Sequence, residues 1–195
     1  MKDKLVIDIE TSNTFDDVGG KHNLEKLSVS LVGVYSYNSD RFFAIREGNI
    51  ESLADQFKNA GLIIGFSSNR FDLPVLKKHF NFDVMSLPSF DILEEIERTT
   101  GKRVSLDILA RTNLGFGKTG HGLDAIKYYA MGDWEALEKY CLQDVKVTKD
   151  LYDLAERQGY LIVPERWGGN LKKVEFEFPD LSAIAPAEIK NGTLF

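Results

Sequence analysis

Three short acidic patterns, far apart in the chain, carry the chemistry available to this sequence. The first is Ile7-Asp8-Ile9-Glu10-Thr11. In an extended strand, residues two apart project to the same face, so Asp8 and Glu10 stand side by side. Neighbouring carboxylates repel, and burial drives at least one towards protonation. A divalent cation removes both difficulties, and magnesium selects oxygen ligands. A frayed strand end facing water is the other reading of so short a pattern. The second pattern, Phe71-Asp72-Leu73-Pro74-Val75-Leu76, puts Asp72 where a loop enters a helix. An ordinary helix N-cap is its structural alternative. The third is Tyr140-Cys141-Leu142-Gln143-Asp144. Tyr140 and Asp144 share a helix face, and Asp144 falls in or beside the apolar stripe Leu137, Cys141, Thr148, Leu151, Ala155. Charges are seldom buried unless paired or metal-bound. The alternative is a boundary aspartate with a hydrogen-bond partner beside a packed tyrosine.

Taken in order, Asp-x-Glu, Phe-Asp-x-Pro-x-Leu and Tyr-x-x-x-Asp resemble the three motifs of the DEDD superfamily of 3′→5′ exonucleases, across residues 4–155. A tyrosine four residues before the last aspartate is the mark of the tyrosine subgroup. The histidine subgroup has His one position earlier, where this chain has Lys139. The pattern is similar to the proofreading domains of family B DNA polymerases and their stand-alone relatives. The run Ser105 to Ala110, followed by Gly115-Phe116-Gly117-Lys118, also resembles nuclease-like domains attached to helicases. One departure is that family B domains usually carry Asn where this chain has Ser67 and Arg70.

The resemblance implies a ribonuclease H-like fold and two divalent cations, Mg²⁺ or Mn²⁺, held by Asp8, Glu10, Asp72 and Asp144. Tyr140 would orient the attacking water; with a pKa near 10 a phenol is a poor base at neutral pH. Substrate contacts are expected from Thr11 and the loop after it, including Phe15, and from Asn69, Arg70 and Lys118. Phe15 also reads as a loop-anchoring aromatic, and loop charges as solvated. Lys77-Lys78 reads as a solvated helix face, His121 as a loop or cap residue, and Trp134 as the first-turn anchor of a helix.

The elements that must position these groups follow from periodicity. Near-continuous apolar runs predict strands over Lys4–Ile9, Leu27–Tyr37, Arg41–Arg46, Leu62–Phe66 and Pro88–Ile92, with Asn38-Ser39-Asp40 turning a hairpin. Helices are predicted over Ile50–Asn59, Leu73–Phe80, Leu93–Thr99, Ser105–Asn113 and Leu123–Met131. A long one runs from Trp134 to Gln158, capped by Asp133. From Gly159 prolines and glycines break the pattern. Residues 160–195 therefore read as an irregular extension, packed on or trailing from a domain of residues 1–159, with one extended segment at Lys173–Phe178. A hairpin, then alternating strands and helices, then helices predict an α/β fold. Its mixed five-stranded sheet would have a three-strand antiparallel part plus parallel strands, flanked by helices.

The 195 residues suffice to bury a substantial core. A lone cysteine, Cys141, excludes an internal disulfide framework and suits a cytoplasmic protein. No apolar run has the length of a membrane span, and the N-terminus has no signal-peptide pattern. The net charge of −6 argues against a duplex-coating protein. Two divalent cations offset part of it, and gripping a single-stranded DNA or RNA 3′ end needs few phosphate contacts. The rival readings are a non-catalytic binding module of the same fold, an endonuclease, and a nuclease subunit working with a helicase or polymerase partner.

Overall fold

The computed structural model describes residues 2–117, 122–164 and 170–180. Its first strand, β1 (Asp3–Thr11), lies at the centre of a five-stranded sheet. β2 (Val29–Ser36) pairs with β1 antiparallel, and β3 (Arg41–Arg46) pairs antiparallel with β2. A 3₁₀ turn over Ile50–Leu53 leads into α1 (Ala54–Asn59), which returns the chain to β4 (Ala60–Gly65), parallel to β1. After the short α2 (Asp72–Leu76), β5 (Ser89–Asp91) adds to β4 in parallel. The order β3-β2-β1-β4-β5 is the mixed, ribonuclease H-like sheet expected from sequence.

Side-chain alternation assigns the two faces. Leu5, Ile7 and Ile9 pack with Val32, Val34, Phe57, Val75 and Leu76 on one side. Val6 packs on the other with Leu62, Ile64, Phe90 and the inward residues of two helices, α4 (Leu106–Leu114) and α6 (Trp134–Gln158). Asp8 and Glu10 are in phase with Val6, so they face the long helix. Between these elements come α3 (Ile92–Thr100) and α5 (Gly122–Met131). The cap expected from sequence is present, Asp133 accepting from the Ala136 amide, and Gly101, Gly115 and Gly159 close their helices in the left-handed conformation.

Some boundaries differ from the periodicity. The predicted helix 73–80 tightens into a 3₁₀ turn at Lys77–His79. The second strand starts at Val29 because Leu24–Lys26 makes a 3₁₀ turn before it. Lys78 is not simply solvated: its ammonium donates to the Glu25 and Leu27 carbonyls. Trp134 stands edge-on to Tyr129, 5.6 Å between ring centroids, under the Arg46 guanidinium.

The larger difference lies past Gly159. β6 (Tyr160–Pro164) and β7 (Leu171–Glu175) pair antiparallel, where an irregular extension was expected. Leu161, Val163, Val174 and Phe176 are buried in the same core as β4 and α6. Phe178 stacks on Phe90 at 5.0 Å. Asn113, at the end of α4, fixes the hairpin by exchanging two hydrogen bonds with the Ile162 backbone. Alternation over five residues with a proline at the end is too weak a local signal for a strand. The aromatic cluster it packs against comes from elsewhere in the chain.

Candidate active site

Gly33 determines how closely α6 sits on the sheet. It pairs with Asp8 across β1 and β2. A Cβ at this position would come within 2.7 Å of the Cys141 sulfur and 2.9 Å of a Val145 methyl. Only glycine lets the helix approach so near. The Cys141 Sγ consequently lies 3.6 Å from both the carbonyl and the Oδ2 of Asp8. Next to Cys141 in the helix Tyr140 is buried, and so is Asp144 about one turn further on. Tyr140 packs in a cluster with Leu31, Ala125 and Leu137, its ring 6.4 Å from that of Tyr128.

Asp72 reaches the same place from the other neighbour of β1. It does not cap its helix. Phe71 holds the cap position, and the Asp72 Oδ1 accepts a 3.0 Å hydrogen bond from the amide of Ile9, between Asp8 and Glu10. Beyond the end of β4 that amide lacks a strand partner on this side, so the carboxylate satisfies a group that would otherwise be orphaned. Burial pushes the Asp72 carboxyl up to about 7 against the lowering effect of backbone amides; the nearby Asp91 carboxylate adds to the rise.

Asp91 is the residue that sequence reasoning missed. It is buried and accepts four amide hydrogen bonds, from Ser67, Asn69, Leu93 and Glu94, at 2.8–3.2 Å. The first two fix the loop that delivers Asp72; the last two cap α3. Burial raises its carboxyl while those amides pull it down. The loop turns sharply after Gly65, where a Cβ would meet Ser68 at 2.3 Å. Ser67 takes the left-handed conformation, φ 70°. That geometry suits Asn better than Ser.

The donor set fits a hard divalent cation. Oxygens of Asp8 and Glu10 and the Cys141 sulfur lie within 4.8 Å of one another, with Asp72 bonded to the strand between the two acids and Asp144 one helical turn from Cys141. Burial, and then Asp8, Glu10 and Asp144, drive the Cys141 thiol well above its usual range. It stays a neutral filler, leaving coordination to the carboxylates.

Asp8 and Asp144 open into a cleft of about 740 Å³ whose other residues include Arg103, Ser105, Asp107 and Arg111. Glu10, Asp72 and Tyr140 are not among its lining residues. Of the residues expected to touch substrate, Thr11 bonds through its hydroxyl to the Asn13 carbonyl at the end of β1. Phe15 packs edge-on against Phe71 at 5.8 Å. The Asn69 side chain donates to Glu94, and Arg70 pairs with Glu97 at 2.7 Å. None of these four lines the cleft, whereas Arg103 and Arg111 do. Those two gave no sequence signal, because an exposed arginine near a helix looks like any solvated charge. Lys118 and His121 lie outside the described residues.

A family model for the RNase H superfamily matches residues 5–156. The chain therefore belongs to the RNase H superfamily, whose members are generally nucleases dependent on divalent metal ions. Among solved structures it is similar to the family B DNA polymerase from the hyperthermophilic archaeon Pyrobaculum calidifontis, with a TM-score of 0.59 at 20% identity. The similarity covers 80% of this chain but 24% of that polymerase, and it speaks to the fold. No curated protein matches. Among the described residues no helix is long and apolar enough to cross a membrane.

Proposed function

We propose that this chain is a 3′→5′ exonuclease of the DEDD tyrosine subgroup, removing nucleotides from the 3′ end of single-stranded nucleic acid, DNA in preference to RNA. One observation carries the reading. Asp72 binds the backbone of β1 between Asp8 and Glu10, on a strand over which α6 is seated close enough for Cys141 to touch Asp8. These contacts support a centre drawing acids from three distant segments, with Tyr140 on the same helix as Asp144.

Asp8, Glu10, Asp72 and Asp144 would hold two divalent cations, Mg²⁺ or Mn²⁺, which supply Lewis acidity and neutralise charge on the attacking and leaving oxygens. Asp8, with a carboxylate both in the cleft and beside Glu10, would contribute to holding both ions. Glu10 and Asp144 would help hold the one that activates water, and Asp72, fixed on the Ile9 amide, would assist at the leaving 3′ oxygen. The Tyr140 phenol orients the attacking water by a hydrogen bond and takes no proton at neutral pH. The burial of Tyr140 and Asp144 limits the freedom of both groups.

The test is incubation of 3′- or 5′-labelled single strands of DNA and RNA with Mg²⁺, Mn²⁺ or EDTA. Mononucleotides released from the 3′ end are expected with metal, and nothing with EDTA; internal fragments would refute the exonuclease. Asp8→Ala or Asp144→Ala abolishes release, and wild-type activity in a rigorously purified Asp8→Ala protein would overturn the ligand assignment. Tyr140→Phe slows hydrolysis about 10- to 100-fold, at or below the low end for proton-transfer groups, with metal affinity kept. A second reading, a nuclease subunit serving a helicase or polymerase, is favoured by the net charge of −6, which weakens unaided hold on a polyanion. Low processivity rescued by such a partner distinguishes it.

A further inference from the structure

A second cleft, of about 900 Å³, adjoins the first and shares Arg103, Val104, Ser105 and Ile108 with it. It runs between the α3–α4 connection and the β6–β7 hairpin, and its far wall is built by Val163, Pro164 and Lys172. The two clefts differ in charge. The first contains Asp8, Asp107 and Asp144. Among the described residues, the second is lined by three cations, Lys102, Arg103 and Lys172, and by no carboxylate. Apolar surface lies between them, including Ile108, which is 47% exposed.

Two further contacts bear on this charge. Arg103 and Arg70 share a single oxygen of Glu97, at 3.1 and 2.7 Å, so one carboxylate leaves the pair with surplus positive charge. Lys172 donates to the Thr99 carbonyl, at a long 3.5 Å, a neutral partner that does not offset its charge. The acidic cleft and the cationic groove thus adjoin along a shared wall of Arg103, Val104, Ser105 and Ile108.

Resting on the exonuclease reading for its 3′ end, we infer that this groove is the track for the upstream part of a single-stranded polynucleotide. Lys102, Arg103 and Lys172 hold successive phosphates while bases lie over Ile108, Val163 and Pro164. A duplex would need both strands accommodated, whereas the charge lines one narrow path. The C-terminal hairpin, which adds no ligand to the acidic centre, is then a substrate-holding element.

The decisive variant is Lys102→Ala/Lys172→Ala, two exposed side chains remote from the carboxylates, with Lys58→Ala as a surface-charge control. Binding of a 5′-fluorescein deoxythymidine strand of about 12 nucleotides, a length within the usual range of single-strand sites, is followed by anisotropy in EDTA across a salt series. Each lost phosphate contact reduces the slope of log K against log salt by about 0.7. The double variant is expected to lose about 1.4 in slope, equivalent to about 25-fold weaker binding near 0.1 M salt, and to converge with wild type towards 1 M. In cleavage, KM for the long strand rises by a similar factor, while the dinucleotide, too short to reach the groove, shows no loss. An unchanged salt slope overturns the track, as does an equal loss on the dinucleotide. If no protein cleaves any strand, the exonuclease reading fails and the anisotropy still decides the groove.

Discussion

Asp72→Asn tests whether the acidic centre was built to be neutralised by cations. Asn keeps the side-chain carbonyl that accepts from the Ile9 amide, so packing and the hydrogen bond survive while the charge goes. Burial pushes the wild-type carboxyl from the ordinary 3.8 up to about 7 on folding. Its folded pKa is raised, so stability is undiminished below the unfolded value and is lost as pH rises through the folded one. Three units at about 1.4 kcal/mol each amount to about 4 kcal/mol lost between pH 4 and pH 7–8. Asn loses none of this. In EDTA the two proteins should melt together near pH 4, and the wild type should fall about 8–16 °C below the variant by pH 8, given about 2–4 °C per kcal/mol for a domain of this size. Saturating Mg²⁺ at pH 8 should recover most of that gap for the wild type and little for the variant. Thermal melts followed by circular dichroism across pH settle it. Parallel curves for the two proteins from pH 4 to 8 would refute the claim that burial raises this carboxyl.

Two other substitutions probe how the centre is held. Asp91→Ala strands the amides of Ser67 and Asn69 and uncaps α3, so a loss of about 3 kcal/mol in urea unfolding is expected, with hydrolysis slowed through misplacement of Asp72; an unchanged urea midpoint would show that the four amide bonds are dispensable. Gly33→Ala drives a methyl into Cys141 and Val145 and should cost about 1–3 kcal/mol. Adding Cys141→Ala should restore part of that, measured as a coupling energy in a double-mutant cycle; strict additivity would mean that the helix does not rest on this point.

Much of the centre was legible because strands and helices write their periods locally. Asp8 and Glu10 are two apart on an apolar strand, and Tyr140 and Asp144 are four apart on a helix, so each pair shares a face by backbone geometry alone. The mixed character of the sheet followed from the hairpin and from the strand–helix alternation after it, while the order β3-β2-β1-β4-β5 came from the structure. Asp72 had two meanings in the sequence, cap or ligand, and nothing local separated them. The structure removes the cap, because the carboxylate accepts instead from the Ile9 amide, 63 residues away; ligation of a cation is the proposal. Asp91 and Arg103 escaped for the same reason: an aspartate before a helix and an arginine in a loop are common. Their importance lies in partners such as Ser67, which both contact.

By itself, then, the sequence determined the types of element, the mixed sheet and which acids could share a face, since all of these rest on spacings of two or four residues. The tertiary structure alone decided that α6 rides on Gly33, that Asp72 binds β1 rather than its own helix, and that residues after Gly159 form a hairpin walling a cationic groove. Each of those depends on atoms brought together from distant parts of the chain, where close packing and the need to satisfy buried amides select one arrangement among many that the local pattern allows.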